Sequence, residues 1–424
     1  MRILMLTDHY PPIIGGMERF VHSLSTELAS RGHSVSVATL WHEGMPEFEV
    51  ERAVRVYRIQ GTAQRVRGLF SDSGRRYAPP CPDPEVVWSL RRIIESERPD
   101  IVHAHNWMIH SFLPLKPWSG ARLVVSLHDY GLVCVKRDLM YHDEPCTGPA
   151  LTKCLGCAAN HYGFAKGVPA LIANRIMSAV ELAAVDTFLP VSYAAAIGAG
   201  LAGSNLPFRV IPNFIPDDYG HAPFDCESYL AQLPEQSYLL YVGSFAGHKG
   251  VDVLLRAYRE LPGSTPPLVL IGFGGSTPLP THWPNVVVAR NWPHWAVMRA
   301  QERCLAGIVP SIFQETFGMA ALETMAQGRP VIASQIGGLP DLVSDGENGL
   351  LVAADDPEAL RRAIQRLLAD PGLRNRMGQM ALLRAGEFRA SAVVPRFEQA
   401  YQDVLGPLDS IRGHKLGSRS EVDL

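Results

Sequence analysis

The sequence predicts an α/β protein of two doubly wound domains facing a central cleft. Length is the first reason, since 424 residues exceed what one hydrophobic core usually serves. The second is a recurring pattern: a short apolar run, a glycine-containing or polar turn, then a longer amphipathic stretch. The third is the character of the runs, which are rich in Val, Ile and Leu and do not alternate with polar residues. Strands buried on both faces read this way, so the sheets should be parallel and covered by helices.

Ile3–Leu6 opens the series, followed by a Pro/Gly loop and a helical stretch from Met17 to Arg31. Val35–Thr39, Ile101–Ala104 and Leu123–Leu127 continue it, and Arg209–Asn213 reads as the last strand of the first half. Phe214–Pro234 is rich in Pro, Asp and Tyr and has no periodicity, which marks a seam. A second series then runs through Tyr238–Val242, Leu268–Ile271, Val286–Ala289 and Pro330–Ala333. Ala359–Leu383 and Val393–Leu405 read as helices, and 406–424 as a polar, disordered tail. The expected domains are therefore 1–215 and 216–395, with a C-terminal helix and flexible tail over 396–424.

Composition narrows the function. Apolar side chains make up 47% of the chain and charged ones 19%, which excludes a disordered or coiled-coil protein. A net charge of -3 gives no global pull toward nucleic acid. The most apolar stretch, Phe188–Gly203, is interrupted by Pro190, Ser192 and glycines and reads poorly as a membrane span. Asp8 comes too early for a signal-peptide core, so a cytoplasmic location is expected, with the inner face of the cytoplasmic membrane as a variant.

In such a fold ligands sit beyond the carboxyl ends of strands, so chemistry is sought in the loops that follow them. Three loops stand out. Gly15 and Gly16 precede the first helix, where the backbone can approach an anion closely. Lys249 stands between Gly247 and Gly250 just ahead of a helix and can hold a diphosphate as a point charge. Glu315 and Glu323 are separated by seven residues, with Gly318 between them admitting the chain into a helix over Met319–Gln327. Carboxylates for sugar and ribose hydroxyls, with free amides for a diphosphate, suit a nucleotide sugar.

These segments, with Val210–Asn213, Gly328–Ala333, Gly337–Asp341 and Asp345–Leu350, resemble the retaining glycosyltransferases of the GT-B fold, family 4, also called glycosyl transferases group 1. The resemblance implies an acceptor-binding first domain and a nucleotide-sugar-binding second domain. Residue by residue, Glu315 resembles the glutamate near the donor sugar and Glu323 the one that holds the ribose. Phe317, Gly318 and Met319 would offer backbone contacts to sugar and diphosphate, and Lys249 would neutralise the leaving group. Gly15 and Gly16 would lie near the phosphates, and His128 would meet the donor sugar from the first domain. The implied reaction is metal-independent transfer, with retention, to a glycan or a polyprenyl- or lipid-linked acceptor in cell-surface polysaccharide or glycolipid synthesis. At Ser244 the family usually carries arginine, so one of two diphosphate cations is missing, with His248 and Arg290 as candidates to replace it. That gap supports an alternative, a nucleotide-sugar or glycan binding protein of the same fold with weak or lost turnover. An epimerase lacks a clear acid/base set. A dinucleotide-dependent oxidoreductase lacks its glycine fingerprint.

Three further features carry expectations. Cys134, Cys146, Cys154 and Cys157 cluster with eleven, seven and two residues between them, and are read as a structural zinc site on the acceptor side. Cys81, Cys226 and Cys304 have no evident partner. His103 and His105 fall on one strand face and are read as a cluster near the acceptor cleft. Seven arginines, Arg52, Arg55, Arg58, Arg65, Arg67, Arg75 and Arg76, form a stretch that could touch anionic phospholipid.

Overall fold

Two parallel sheets organise the chain in a computed structural model, which describes residues 1–13, 15–66, 76–142, 144–220, 227–275, 277–280 and 283–406. The first contains β1 (Arg2–Thr7), β2 (Ser34–Leu40), β3 (Phe48–Glu51), β4 (Val54–Ile59), β5 (Ile101–Ala104) and β6 (Arg122–Leu127). After a two-stranded ribbon of β7 (Met140–Tyr141) and β8 (Glu144–Pro145), β9 (Thr187–Pro190) completes it. Its order is β3-β4-β2-β1-β5-β6-β9, and only the β3–β4 hairpin is antiparallel. The second sheet holds β10 (Leu239–Ser244), β11 (Leu268–Phe273), β12 (Val286–Arg290), β13 (Ala306–Val309), β14 (Val331–Ser334) and β15 (Gly349–Val352). Its order is β12-β11-β10-β13-β14-β15. With the β3 hairpin set aside, both sheets follow the doubly wound plan, and strand order reverses beside β1 and beside β10.

The non-alternating runs are buried as expected. In β1 every residue after Arg2 is buried, and β5 and β14 are buried throughout. Several helices start on an aspartate followed by proline. Asp83, Asp356 and Asp370 each accept backbone N–H groups of the first turn, and the proline occupies a position whose N–H has no helical partner.

The expected strand at Arg209–Asn213 does not form. The segment still follows β9, with the Arg209 N–H donating to the Phe188 carbonyl and the Ile211 N–H to the Pro190 carbonyl. Pro212 within it, and Pro207 just before it, have no N–H to extend the ladder. Phe188–Gly203 is β9 and a short helix, Tyr193–Gly198. The helix long and apolar enough to cross a membrane by length and composition is instead Phe164–Ala184.

The last helix, Ala390–Leu405, packs against the first sheet. Val393, Val394, Phe397 and Tyr401 share a buried cluster with Ile3, Met5, Phe20 and Leu24. The chain therefore passes between the halves twice, at adjacent points. The Ile215 N–H donates to the Phe388 carbonyl, and the Ala390 N–H to the Ile215 carbonyl. The expected tail lies, from residue 407 on, outside the described residues, as does Cys226.

Close backbone contacts fix the loops above β10. Gly250 has φ +69, and a Cβ there would come within 1.8 Å of the Pro310 carbonyl oxygen. Gly250→Ala should therefore destabilise the fold by about 2 kcal/mol or more, read as a lowered urea midpoint, because strain and collision coincide.

Candidate active site

The loops that leave the strands of both halves enclose a cleft of about 890 Å³. That is ample for a nucleotide-sized ligand. Gly15, Gly16, His128, Ser244, Lys249, Glu315, Phe317, Gly318, Met319 and Glu323 all line it. The sequence-predicted site residues are thus brought together from both halves.

Glu315 follows β13 and is held from several sides. Its Oε1 accepts from Lys249 Nζ at 2.7 Å and from Ser311 Oγ at 2.8 Å. The Gly338 N–H donates to the Glu315 carbonyl at 2.7 Å, and a Cβ on Gly337 would lie 2.2 Å from that same oxygen. Only glycine at 337, which has φ +59, allows this approach. Lys249 also stands over the Phe313 ring at 4.4 Å, so its ammonium is positioned rather than free in solvent.

Glu323 lies in the helix Met319–Met325, which starts after Gly318 at φ +108. Seven residues make a short helix, so its free amides matter more than a summed dipole. Burial pushes the Glu323 carboxyl upward, but Arg19 and His294 outweigh it and hold the group at about 2. Its Oε1 is 3.0 Å from His294 Nε2 and 3.3 Å from Arg19 Nη2. Arg19 belongs to the first half, in the opening turn of the helix Gly16–Ser30. A second link between the halves is the Thr316 hydroxyl, which donates to the His128 carbonyl at 2.8 Å.

His128 ends a stacked column. His103 Nδ1 and Nε2 lie 2.8 Å from the Tyr401 and Ser126 hydroxyls, its ring packs on His105, and His105 Nδ1 is 3.0 Å from His128 Nε2. Burial pushes His103 down to about 3 and His128 to about 4, so both are neutral near neutral pH. A neutral His128 meets the cleft without adding charge.

Below it, the Arg137 guanidinium pairs with Asp129 at 2.6 Å and lies 3.8 Å from the buried Asp8 carboxylate. Burial lifts the Asp8 carboxyl to about 7, against the pull of Arg137. Asp8 then holds a proton in the fold that the unfolded chain has released, so its contribution to stability falls as pH rises from the ordinary carboxylate range to about 7. Asp8→Asn should gain on the wild type in urea midpoint between about pH 5 and about pH 8. The histidine column acts with the opposite sign. Neutral in the fold, it is destabilised as pH falls below about 6.5.

Some readings need correction. Neither His248 nor Arg290 lines the cleft, and Arg290 lies over the Phe245 ring instead. Neither stands in for the absent arginine at Ser244. Cys134, Cys146, Cys154 and Cys157 do border one small cavity, of about 30 Å³. Among the described residues, however, no three His, Cys, Asp or Glu side chains come together so as to hold a metal ion. Cys146 Sγ contacts the Gly148 carbonyl and Cys157 Sγ the Met140 carbonyl, so these thiols face backbone rather than a common centre. The structural zinc reading has no support in this geometry. The arginine stretch is largely spent on partners. Arg55 pairs with Glu97, Arg58 with Glu49 and Arg65 with Glu85, and Arg76 donates to the Gln64 carbonyl. Arg67 and Arg75 lie outside the described residues.

Sequence reasoning missed Arg19, Ser311 and Thr316 as site residues. Arg19 follows the Gly-Gly-x-Glu motif directly, and its place in the first helical turn after Gly16 was the available signal.

Two doubly wound domains with such a cleft between them define the GT-B fold. The chain matches Glycosyltransferase Family 4 over residues 14–219 and Glycosyl transferases group 1 over residues 230–384, and it belongs to that family. It is 28% identical over 434 residues to a glycogen synthase of Mycobacterium tuberculosis, covering 95% of this chain and 94% of that one. Among solved structures it resembles a sucrose-phosphate synthase from Thermosynechococcus elongatus, with TM-score 0.70, 22% identity, and 94% and 98% of the two chains covered. It also resembles HepE of Anabaena in complex with UDP, with TM-score 0.65, 16% identity, and coverage of 95% and 100%.

Proposed function

We propose that this protein transfers a sugar from a nucleotide-diphosphate donor to a hydroxyl of a glycan or lipid-linked acceptor, with retention at the anomeric carbon and without a catalytic metal. One observation carries the reading: two carboxylates, each paired to a cation, stand in one cleft with the Phe317–Met319 backbone between them. Glu323 at one end suits ribose hydroxyls. Glu315 at the other suits those of the sugar. A diphosphate between them would meet Lys249 and the free amides of the helix start.

As the bond between anomeric carbon and phosphate oxygen breaks, negative charge builds on the diphosphate. Lys249 stabilises that charge, and its prior pairing with Glu315 keeps it aimed without reorganisation. His128 orients the sugar from the first domain. The acceptor hydroxyl attacks from the face that the diphosphate leaves, which retains the configuration, and its proton passes to the departing phosphate oxygen.

Ser244 favoured the alternative of a binding protein without turnover. Arg19 weakens that case. It reaches the cleft from the first domain and supplies a second cation beside Glu323, where the nucleotide end of the diphosphate would lie. The test is a panel of uridine-, guanosine-, adenosine- and thymidine-diphosphate sugars, read by nucleoside diphosphate release. Release with one donor or more supports transfer. Binding of a donor without release supports the alternative, and neither binding nor release refutes both.

A further inference from the structure

The helix Phe164–Ala184 is amphipathic in the wrong sense for a helix that faces water. Three of its polar residues point inward. Asn174 Nδ2 donates to the Gly131 carbonyl at 2.9 Å, Ser178 Oγ to the Leu132 carbonyl at 2.6 Å, and Glu181 lies 3.5 Å from His110 Nε2. Leu171 and Met177 are buried beside them, but four other large apolar residues point outward. Phe164 is 77% exposed, Ile172 53%, Ile176 59% and Val180 43%, and at this spacing they form one continuous face. The neighbouring helix Leu151–Tyr162 packs tightly against it, since Gly167 lies on the Ala158 carbonyl, and adds the 77%-exposed Leu151.

The charges here have one sign. Between Glu144 and Glu181 the chain has no aspartate or glutamate, while Lys153, Lys166 and Arg175 fall within it. An outward apolar face whose own two helices expose cations and no carboxylate fits an anionic lipid surface, with the apolar side chains in the headgroup region and the cations at the phosphates. A second copy of this chain would bring the same positive charges together.

We infer that the outer face of the hairpin 151–184 is a docking surface for an anionic membrane. The hairpin lies on the bilayer and does not cross it, because Asn174, Ser178 and Glu181 are committed to partners inside the protein. The same inner face braces the segment 131–132, next to Tyr130 and Arg137 in the cleft wall. A lipid-linked hydroxyl would thus be presented beside the acceptor side of the cleft. That last step, unlike the surface itself, rests on the glycosyltransferase reading.

The test is flotation of the full chain with vesicles of phosphatidylcholine alone, or with about a third phosphatidylglycerol. Wild type should float with the anionic vesicles and bind neutral ones about tenfold more weakly. Ile172→Ser combined with Ile176→Ser should lower anionic binding about tenfold or more. Arg175→Glu should lower binding to anionic vesicles alone. Unchanged thermal midpoints and nucleoside diphosphate affinity in these variants separate the surface from the donor site. The inference is overturned if wild type ignores both vesicles, or if the serine variant floats like wild type. It is also overturned if light scattering shows a dimer that the serine variant dissolves, since a second copy then covers the face.

Discussion

Lys249→Ala should reduce nucleoside diphosphate release by about a hundredfold or more, with a smaller change in donor binding. The leaving diphosphate gains most of its charge after the bond has stretched, so a cation fixed beside it acts mainly on the rate. Lys249 is fixed by three contacts: the Glu315 carboxylate, the Phe313 ring and the turn that ends in Gly250. Glu315→Gln should lose less than Lys249→Ala, because the amide still accepts from Ser311 and can still meet sugar hydroxyls, while the lysine loses its guide. Turnover of Lys249→Ala at the wild-type rate, in a sample that binds donor normally, would remove the lysine from the mechanism.

Arg19→Ala should weaken nucleoside diphosphate binding by about tenfold to a hundredfold, the range expected for losing one charged hydrogen bond. The effect should be smaller for the corresponding nucleoside, which has no phosphate. Glu323 complicates the reading, because Arg19 and His294 together hold its carboxylate ionised. Adding Ser244→Arg to Arg19→Ala resolves it. The new side chain supplies a cation where the family resemblance implies one and leaves Glu323 without Arg19. Recovery of diphosphate binding assigns Arg19 to the phosphates. No recovery, with binding of diphosphate and nucleoside weakened alike, assigns it to Glu323 and the ribose end instead.

The fold was legible because most buried strands carry their own signal, although the central β13 went unread. Ile101–Ala104 was read without error, and Leu268–Ile271 missed only the two residues at its end. The edges were harder. The β3–β4 hairpin alternates in exposure and carries charges, so it does not stand out as an apolar run, and β9 opens the apolar stretch Phe188–Gly203, in which no strand was picked out. In the site, the residues of the second-half motifs could be named because strand, turn and helix follow one another within a few positions. Partners that arrive from elsewhere could not. Nothing near Glu323 in sequence points to Arg19, 304 residues earlier, and nothing in the arginine stretch announces Glu97 as the partner of Arg55. The cysteine cluster shows the converse error. Spacing brought four thiols to one cavity, but their orientation follows local backbone contacts that spacing does not encode.

The helix Ala390–Leu405 has a consequence for synthesis. Phe397 and Tyr401 fill the layer under β1 and β5, and Tyr401 also ties down His103. A ribosome delivers these side chains only after the strands of both sheets. Until then the domain made first has an open apolar seam, so it should wait, incompletely closed, while the second folds as an insertion between its two parts. Chains halted before residue 390 should therefore expose that seam to chaperones or to each other, whereas the second sheet, encoded without interruption, can settle on its own.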